Sequence, residues 1–561
     1  MKKIAGVSKK LKEKGIQGIT DKFREKIASY KQTKDYQKWI REFDTLTEND
    51  RQFITQRINQ LPLKPLISIV MPVFNVEEKW IRICLESVLN QLYQNWELCI
   101  ADDCSTLPHV KQILEEYAAK DSRIKATFRT QNGHISAASN SALELATGEF
   151  TALLDNDDEL SEHALYLVAE EINQFPNVKL IYSDEDMIDE KGSRYQPKFK
   201  PDFSLDLLYS MNFINHLGVY KTEILRQIGG FRRGFEGSQD YDLVLRFIEK
   251  ISPDEIRHIP QILYHWRAVS GSIALSADQK SYAHERARKA IKEHFERKNV
   301  RVEIVETFQN KHRVIYDLSI ETTVSIISNE NVSIDFGNTN LIKVEEIPAK
   351  TFNSATKNSK ADVLIFIDKG IIPNSVDWIK ELASIAIQKE IGAVGGKIFS
   401  LDKTIRHNGI IGGINESIGF AFRNQNDEMF DTLNRTKVIN NFSAVSGVLA
   451  IRRELFEELN GFDQINFNKG LFEIDFCWRL IEKGYRNVFT PYAEFKQTEN
   501  SSTEKVLTDK NSAELNIFKT KWGNFIENDR FYNPNLSLEN SQFKIAFPPR
   551  NKKSWLAIKA K

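Results

Sequence analysis

The 561 residues predict an α/β protein: a mostly parallel, Rossmann-like sheet, present twice, with a helical N-terminal arm. Three observations carry this reading. From Leu66 to about residue 184, short apolar runs alternate with helical periods, the pattern of parallel strands covered by helices on both faces. Segments between residues 352 and 483 parallel segments between 135 and 250. The first 30 residues hold nine Lys/Arg and three Asp/Glu, with apolar residues at three- and four-residue steps, the spacing of an amphipathic helix.

The expected organisation is a basic helical arm (1–62), a first α/β domain (63–300), a second one (301–530) and a C-terminal tail (531–561). In the arm, Ile4, Val7 and Leu11, then Ile19, Phe23, Ile27 and Tyr30, form the apolar face, with Gly15 as a break. Such a helix either packs on its own domain or lies on an anionic membrane surface, where each basic side chain contributes ~1 kcal/mol. In the first domain, LISIVMPVF (66–74) reads as a buried strand, followed by a helix carrying Trp80, Cys84, Val88 and Gln91. Strand WELCIADD (96–103), a helix over 109–119, strand IKATF (124–128), helix 135–146, strand EFTALLD (149–155), helix 161–174 and strand VKLIYSD (178–184) continue the alternation.

Composition excludes several classes. Apolar residues are 41% and charged residues 27%, with 77 basic side chains balancing 77 acids, so the chain as a whole is not built to hold nucleic acid. Cys84, Cys99, Cys104 and Cys477 show no CxxC spacing, which leaves neither a disulfide framework nor a zinc site and points to a reducing cytosol. No stretch approaches the ~20 apolar residues of a membrane span, and the N-terminus lacks the apolar core of a secretion signal. The expected location is the cytoplasm, at the inner face of the plasma membrane.

In open parallel sheets ligands bind beyond the C-terminal strand ends, and there the unusual residues collect: Asn75 after PVF, Asp102 and Asp103 after CIA, and Asp155, Asp157 and Asp158 in LLDNDDEL. An acid after an apolar strand can also cap the next helix. Carboxylates spaced DxDD, however, do not all ionise cheaply unless a cation sits among them, and oxygen ligands suit Mg²⁺ or Mn²⁺.

The segments PLISIVMPVFN, ELCIADDCS, NGHISAASNSALELATGEFTALLDNDDEL and GSQDYDLVLR resemble, in order and spacing, the motifs of family 2 inverting glycosyltransferases of the GT-A fold; ILYHWRAVSGS is similar to a subset that builds bacterial surface polysaccharides, rhamnose-containing ones among them. The resemblance covers residues 64 to about 298. It implies that Pro72, Val73 and Asn75 line a nucleoside pocket and that Asp103 accepts the N3–H of uracil or thymine, an imide donor that a carboxylate favours over a ring acceptor. It places Gly133, Ser136 and Asn140 near the donor, at a helix start suited to anions. Asp157 would bind the metal, with Asp155 and Asp158 holding metal waters or ribose, and His265 as a further ligand. Its alternative is a half-buried strand histidine bonded to backbone. Asp240 would be the catalytic base, in the first turn of a helix capped by Ser238. Arg267 and the loop 270–272 would cover the diphosphate. Two departures stand out: Ser139 where many members carry Arg, and Gln239 where Glu is usual.

The second copy keeps the pattern and loses the chemistry. LLDNDD becomes FIDKGI, so Lys369 follows Asp368; Glu473 replaces Asp240; Lys496 replaces His265; and the PVFN and DDxS strand ends are missing. The expectation is a pseudo-transferase packed on an active first unit. The function so implied is metal-dependent, inverting transfer of a hexose or deoxyhexose from a UDP- or dTDP-sugar to a lipid-linked bacterial glycan (O-antigen, capsule or cell wall). The alternative is a non-catalytic glycan-binding scaffold with two dead units. A processive synthase would need QxxRW and membrane spans, and a dehydrogenase a GxGxxG after the first strand; the sequence has neither.

Overall fold

The computed structural model describes residues 33–268, 277–328, 343–348, 352–357, 359–428, 431–499, 502–509 and 512–556. The basic stretch 1–30 and the loop 270–272 lie outside them.

The first sheet comprises β1 (Ile67–Val73), β2 (Trp96–Asp102), β3 (Ile124–Phe128), β4 (Phe150–Leu153), β5 (Glu159–Leu160), β6 (Leu180–Ile188), β7 (Arg194–Lys198), β8 (Gly218–Lys221) and β9 (Ile256–Arg267). Their order is β3-β2-β1-β4-β8-β6-β9-β5, with β7 on β6. β1 and β2 are buried on both faces, as their unbroken apolar runs require. Helix Glu78–Leu89 buries Trp80, Ile81, Cys84, Leu85 and Val88, one face at helical spacing. Helix His134–Leu145 packs on β1 and β2 through Ala137, Ala138 and Ala142, whose small side chains allow close approach. β8 runs antiparallel to β4 and β6. Its N-terminal end therefore meets the C-terminal ends of β1 and β4, and this edge holds the site.

A hairpin, β10 (Val302–Glu306) and β11 (His312–Tyr316), leads to the second sheet. This contains β12 (Thr323–Ser328), β13 (Lys343–Pro348), β14 (Val363–Ile367), β15 (Ile371–Pro373), β16 (Ile391–Phe399) and β17 (Ile405–His407). The pair β18 (Ile410–Gly412) and β19 (Ile418–Phe420) stands apart, and β20 (Asn440–Asn441), β21 (Val448–Arg452) and β22 (Arg486–Gln497) complete the unit. Its order, β13-β12-β14-β21-β16-β22-β15, matches β2-β1-β4-β8-β6-β9-β5 strand for strand, with the same parallel and antiparallel pairs. Only residues 349–351 separate β13 from helix Phe352–Thr356, where the first unit has residues 103–133 with β3 among them.

The two units share buried polar contacts. Asp206 accepts hydrogen bonds from Arg486 Nε at 3.0 Å and Asn441 Nδ2 at 2.8 Å, and Arg435 Nη2 donates to the Phe199 carbonyl at 2.9 Å. The tail then returns over the first unit. Asn533 Nδ2 donates to Asp184 and to the Lys200 carbonyl, each at 2.8 Å, and Trp555 Nε1 donates to Asp50 at 2.8 Å.

Candidate functional site

A solvent-open cleft lies at the shared strand edge, and Pro72, Asp155, His216, Gln239, Asp240 and Tyr264 are among its lining residues. One wall is a cluster of possible cation ligands: Asp155, Asp158 and His216 each offer an atom, all within 4.8 Å of one another. Asp155 follows β4 and points partly to solvent. Asp158 is buried; its carboxylate accepts hydrogen bonds from the Tyr264 hydroxyl at 2.6 Å and from the Arg267 amide at 2.7 Å. Burial, then the charges of Asp157 and Asp155, push its carboxyl well above the ordinary range. Asp157 is pushed up to about 6 by burial and by Asp155. Two carboxyls raised in this way beside a third acid are a place where a cation relieves the strain.

His216 was not singled out in the sequence, and it replaces His265 in this cluster. Along β9 side chains alternate: Tyr264 and Trp266 flank His216, stacked at 4.5 Å and tilted at 5.8 Å. His265 between them faces away, with Nδ1 2.6 Å from Asp186 and Nε2 3.1 Å from Ser161 Oγ. Both of its ring nitrogens are engaged, so the sequence expectation of a His265 ligand is corrected. His216 lies two residues before Gly218, the start of antiparallel β8, and that position was the available signal. Lys200 fixes it: the ammonium donates to the carbonyls of Asn215 and His216 at 2.7 Å each and pairs with Glu185 at 3.0 Å. Burial opposes ionisation of Glu185, but Lys198 and Lys200 hold its carboxyl well below the usual range.

Asp240 lines the same cleft, in the first turn of helix Gln239–Ile248. Asn212 Nδ2 donates to it at 2.9 Å. Burial raises its carboxyl above the ordinary range, opposed by His216 and by the Tyr241 amide, while Asp155 adds to the rise. The helix start differs from expectation: the Ser238 hydroxyl makes no cap bond and donates to the Ala283 carbonyl at 2.8 Å.

The nucleoside side is more structural than the sequence suggested. Pro72 lines the cleft, but Val73 points into the core. The Asn75 side-chain carbonyl accepts from the amides of Thr106 at 2.8 Å and Leu107 at 3.3 Å, tying two strand-end loops together. Asp103 accepts from Arg129 Nε at 2.8 Å and from the Gly133 amide at 2.9 Å. A Cβ on Gly133 would lie 2.8 Å from the Ala137 Cβ, which cannot swing aside, so this approach needs glycine. Asn140 spends its whole amide on the Phe231 backbone, donating to the carbonyl and accepting from the amide at 2.8 Å each. The donor contact expected of Asn140 is thus corrected to a scaffold role. Ser139 lines the cleft, and the buried Ser136 hydroxyl has no hydrogen-bond partner among the described residues.

Residues 68–229 match the family description "Glycosyl transferase family 2". The chain is 32% identical over 210 residues to WcaA of Escherichia coli (strain K12), a protein named for a glycosyl transferase role in colanic acid biosynthesis, covering 36% of this chain and 72% of that one. The chain belongs to glycosyl transferase family 2. The first sheet is accordingly the GT-A, nucleotide-diphospho-sugar transferase fold that the sequence predicted. Two longer proteins resemble this family 2 chain over most of its length. The uncharacterized protein y4gI of Sinorhizobium fredii is 35% identical over 554 residues, 89% of this chain and 61% of that protein. The O-antigen biosynthesis protein RfbC of Myxococcus xanthus is 31% identical over 528 residues, 86% of this chain and 41% of that protein.

Strand register shows what the second unit has lost. β8 and β21 each run directly into a helix, Thr222–Gln227 and Arg453–Glu458, which equates Lys221 with Arg452 and, through their partners, Phe150 with Val363. Counting along each strand, Asp155 becomes Asp368, Asp157 becomes Gly370, Asp158 becomes Ile371 and His216 becomes Gly447. Three of four acid or imidazole groups vanish together. Glu473, in the place of Asp240, is shut in: its Oε2 accepts from Ser446 Oγ at 2.9 Å and the Gly447 amide at 2.8 Å, and its buried Oε1 has no hydrogen-bond partner among the described residues. Burial and Asp368 push it up to about 7.

A folded-state pKa raised from the ordinary 4.5 means that Glu473 contributes stability below about pH 4.5 that is lost as pH rises toward 7. Glu473→Gln is therefore expected to raise the urea midpoint at pH 8, with the gain shrinking toward pH 4.5, and to leave sugar transfer unchanged. Loss of one linkage from the product would instead assign the second unit a reaction.

Proposed function

We propose that this chain is an inverting glycosyltransferase, dependent on Mn²⁺ or Mg²⁺, that moves a hexose or deoxyhexose from a UDP- or dTDP-sugar to a lipid-linked bacterial surface glycan. The observation that carries the reading is the cleft itself: Asp240 lines it together with Asp155 and His216, two members of the Asp155, Asp158 and His216 cluster. Two carboxylates and an imidazole suit a first-row divalent ion such as Mn²⁺, and their mutual repulsion is what such an ion offsets. These three residues, with Asp157 beside them, would hold the metal, whose charge stabilises the departing diphosphate.

The chain's own groups do the rest. Asp103, oriented by Arg129 and Gly133, reads the base of the nucleotide. Asp240 takes the proton of the acceptor hydroxyl as that oxygen attacks the anomeric carbon from the face opposite the diphosphate. Asn212 holds the Asp240 carboxylate in place, and the helix start stabilises its ionised form. The second unit is a pseudo-transferase that braces the first. Among the described residues no helix is long and apolar enough to cross a membrane. The basic composition of residues 1–30 is what supports contact with the lipid-linked acceptor at the inner membrane face.

Calorimetry of UDP and dTDP, with and without Mn²⁺, tests this. Nucleotide binding should strengthen with Mn²⁺, and Asp155→Ala or His216→Ala should weaken the metal-dependent part by at least about tenfold. A panel of nucleotide sugars should then reveal one that is hydrolysed or transferred. Binding of neither nucleotide would favour the glycan-binding scaffold.

A further inference from the structure

Asp240 is held from outside its own helix. Helix Leu205–Ser210 ends two residues before Asn212, whose Nδ2 donates to the Asp240 carboxylate at 2.9 Å. The other arm of that amide, Oδ1, is buried and has no hydrogen-bond partner among the described residues. No second side-chain bond therefore orients Asn212, and its aim at Asp240 is set by the backbone that the short helix delivers. The same helix reaches the base by a second route, because the hydroxyl of the neighbouring Tyr241 donates to the Leu208 carbonyl.

Six residues are too few to hold a helix by themselves, and this one lacks a cap of its own. Ser204 stands at the N-cap without a side-chain bond into the first turn. The second unit supplies what is missing. Asn441 Oδ1, on β20, accepts from the Ser204 hydroxyl at 2.9 Å and from the Asp206 amide at 3.3 Å, the bond that an N-cap side chain would make. Its Nδ2 donates to the Asp206 carboxylate at 2.8 Å and to the Asn487 carbonyl at 3.0 Å, so all four hydrogen-bonding positions of the amide are used. Arg486 Nε donates to the same carboxylate at 3.0 Å, and at the far end of the helix Ser210 Oγ donates to the Ile439 carbonyl at 3.0 Å. β20 is paired to β22, so this grip rests on the second sheet itself. The metal side of the cleft is held separately: Phe213 and Ile214 are buried in the core, and Lys200 binds the carbonyls of Asn215 and His216.

We propose that Asn441 of the second unit is a positioning residue for the catalytic base: it caps helix Leu205–Ser210 from across the unit boundary and so sets, through Asn212, where the Asp240 carboxylate sits. This rests on the transferase reading above, and it gives the degenerate unit a part in the chemistry of the first.

Two measurements on the full chain test it. Turnover of the nucleotide sugar chosen by the panel above, read as nucleoside diphosphate released, should fall about ten- to a hundredfold in kcat for Asn441→Ala, the scale of a misplaced catalytic group. Donor KM and UDP·Mn²⁺ affinity should be unchanged. A hydrogen bond donated to a carboxylate favours its ionised form, so the acid limb of kcat should move to higher pH as the Asn212 bond weakens, with His216 and Asp155, the charged groups that act on Asp240, left where they are. In an Asp240→Asn background Asn441→Ala should lower the rate no further. Ser210→Ala, which removes only the bonds at the far end, should lower kcat in the same direction by less, and it decides the matter if Asn441→Ala does not fold. Hydrogen exchange read by mass spectrometry needs no substrate. Asn441→Ala should speed exchange about tenfold in peptides covering 205–212 and 239–243, the scale of losing a hydrogen bond or two, and leave 150–160 unchanged. Unchanged kcat in a folded Asn441→Ala chain, a loss that falls on donor KM or UDP·Mn²⁺ binding, or a loss that persists in full on Asp240→Asn overturns the proposal. If the wild type turns over no nucleotide sugar, the transferase reading falls; faster exchange reaching 239–243 then still supports the grip on the Asp240 segment, and faster exchange confined to 205–210 overturns it.

Discussion

Asp240→Asn is expected to lower kcat by about 10²–10⁴-fold, the usual worth of a positioned general base, while Mn²⁺ and UDP affinity stay unchanged. The substitution is isosteric, and the amide oxygen can still accept from Asn212, so the loss would not come from a moved helix. The pH profile separates chemistry from scaffolding. Burial raises the Asp240 carboxyl above the ordinary range, so the protonated, inactive form persists to higher pH than for a solvated aspartate of about 3.9. In the wild type kcat/KM should fall as pH drops through that raised value, and the fall should be absent from the residual activity of Asp240→Asn. A variant that keeps full rate would show that Asp240 merely stabilises its helix.

Strands β1 to β4 and the start of β6 were legible as short, mainly apolar runs, whereas β5, β7 and β8 were not; Asp155, Asp157 and Asp158 were legible because acids clustered after such a run have few cheap arrangements. His216 was not, since its place at the site depends on β8 running antiparallel, a tertiary fact that local pattern does not encode. The same register explains the misplacement of His265: a one-residue step along β9 exchanges the cleft for the opposite face. Asn75 and Asn140 were read as ligand contacts because a polar residue at a strand end or helix start looks identical whether it serves a ligand or a neighbouring loop. Their hydrogen bonds show that they serve loops. In the second unit the change to Asp368 and Lys369 was visible in sequence, but the exchange of His216 for Gly447 required the pairing of β14 with β21.

Lys200→Met is expected to cost about 3–5 kcal/mol, as breaking a buried ion pair does, read as a lowered urea midpoint. The Lys200 side chain is 1% exposed and finds three acceptors for its three protons: Glu185 and the carbonyls of Asn215 and His216. Methionine fills the space and leaves all three short of a donor. Lys198 still neutralises part of the Glu185 charge, which places the expected loss at the lower end of that range. Adding Glu185→Gln should recover part of it, because no uncompensated buried carboxylate then remains, while Lys198 is partly exposed to solvent, and residues in contact do not add. The functional consequence distinguishes this lysine from an ordinary buried pair. It pins the backbone that carries His216, and its own carbonyl is held by Asn533 from the C-terminal tail. Lys200→Met should therefore weaken Mn²⁺ binding without touching any ligand atom, and Asn533→Ala should do so to a smaller degree. A large stability loss with unchanged Mn²⁺ affinity would mean that Tyr264 and Trp266, stacked against the imidazole, are enough to hold His216 in place.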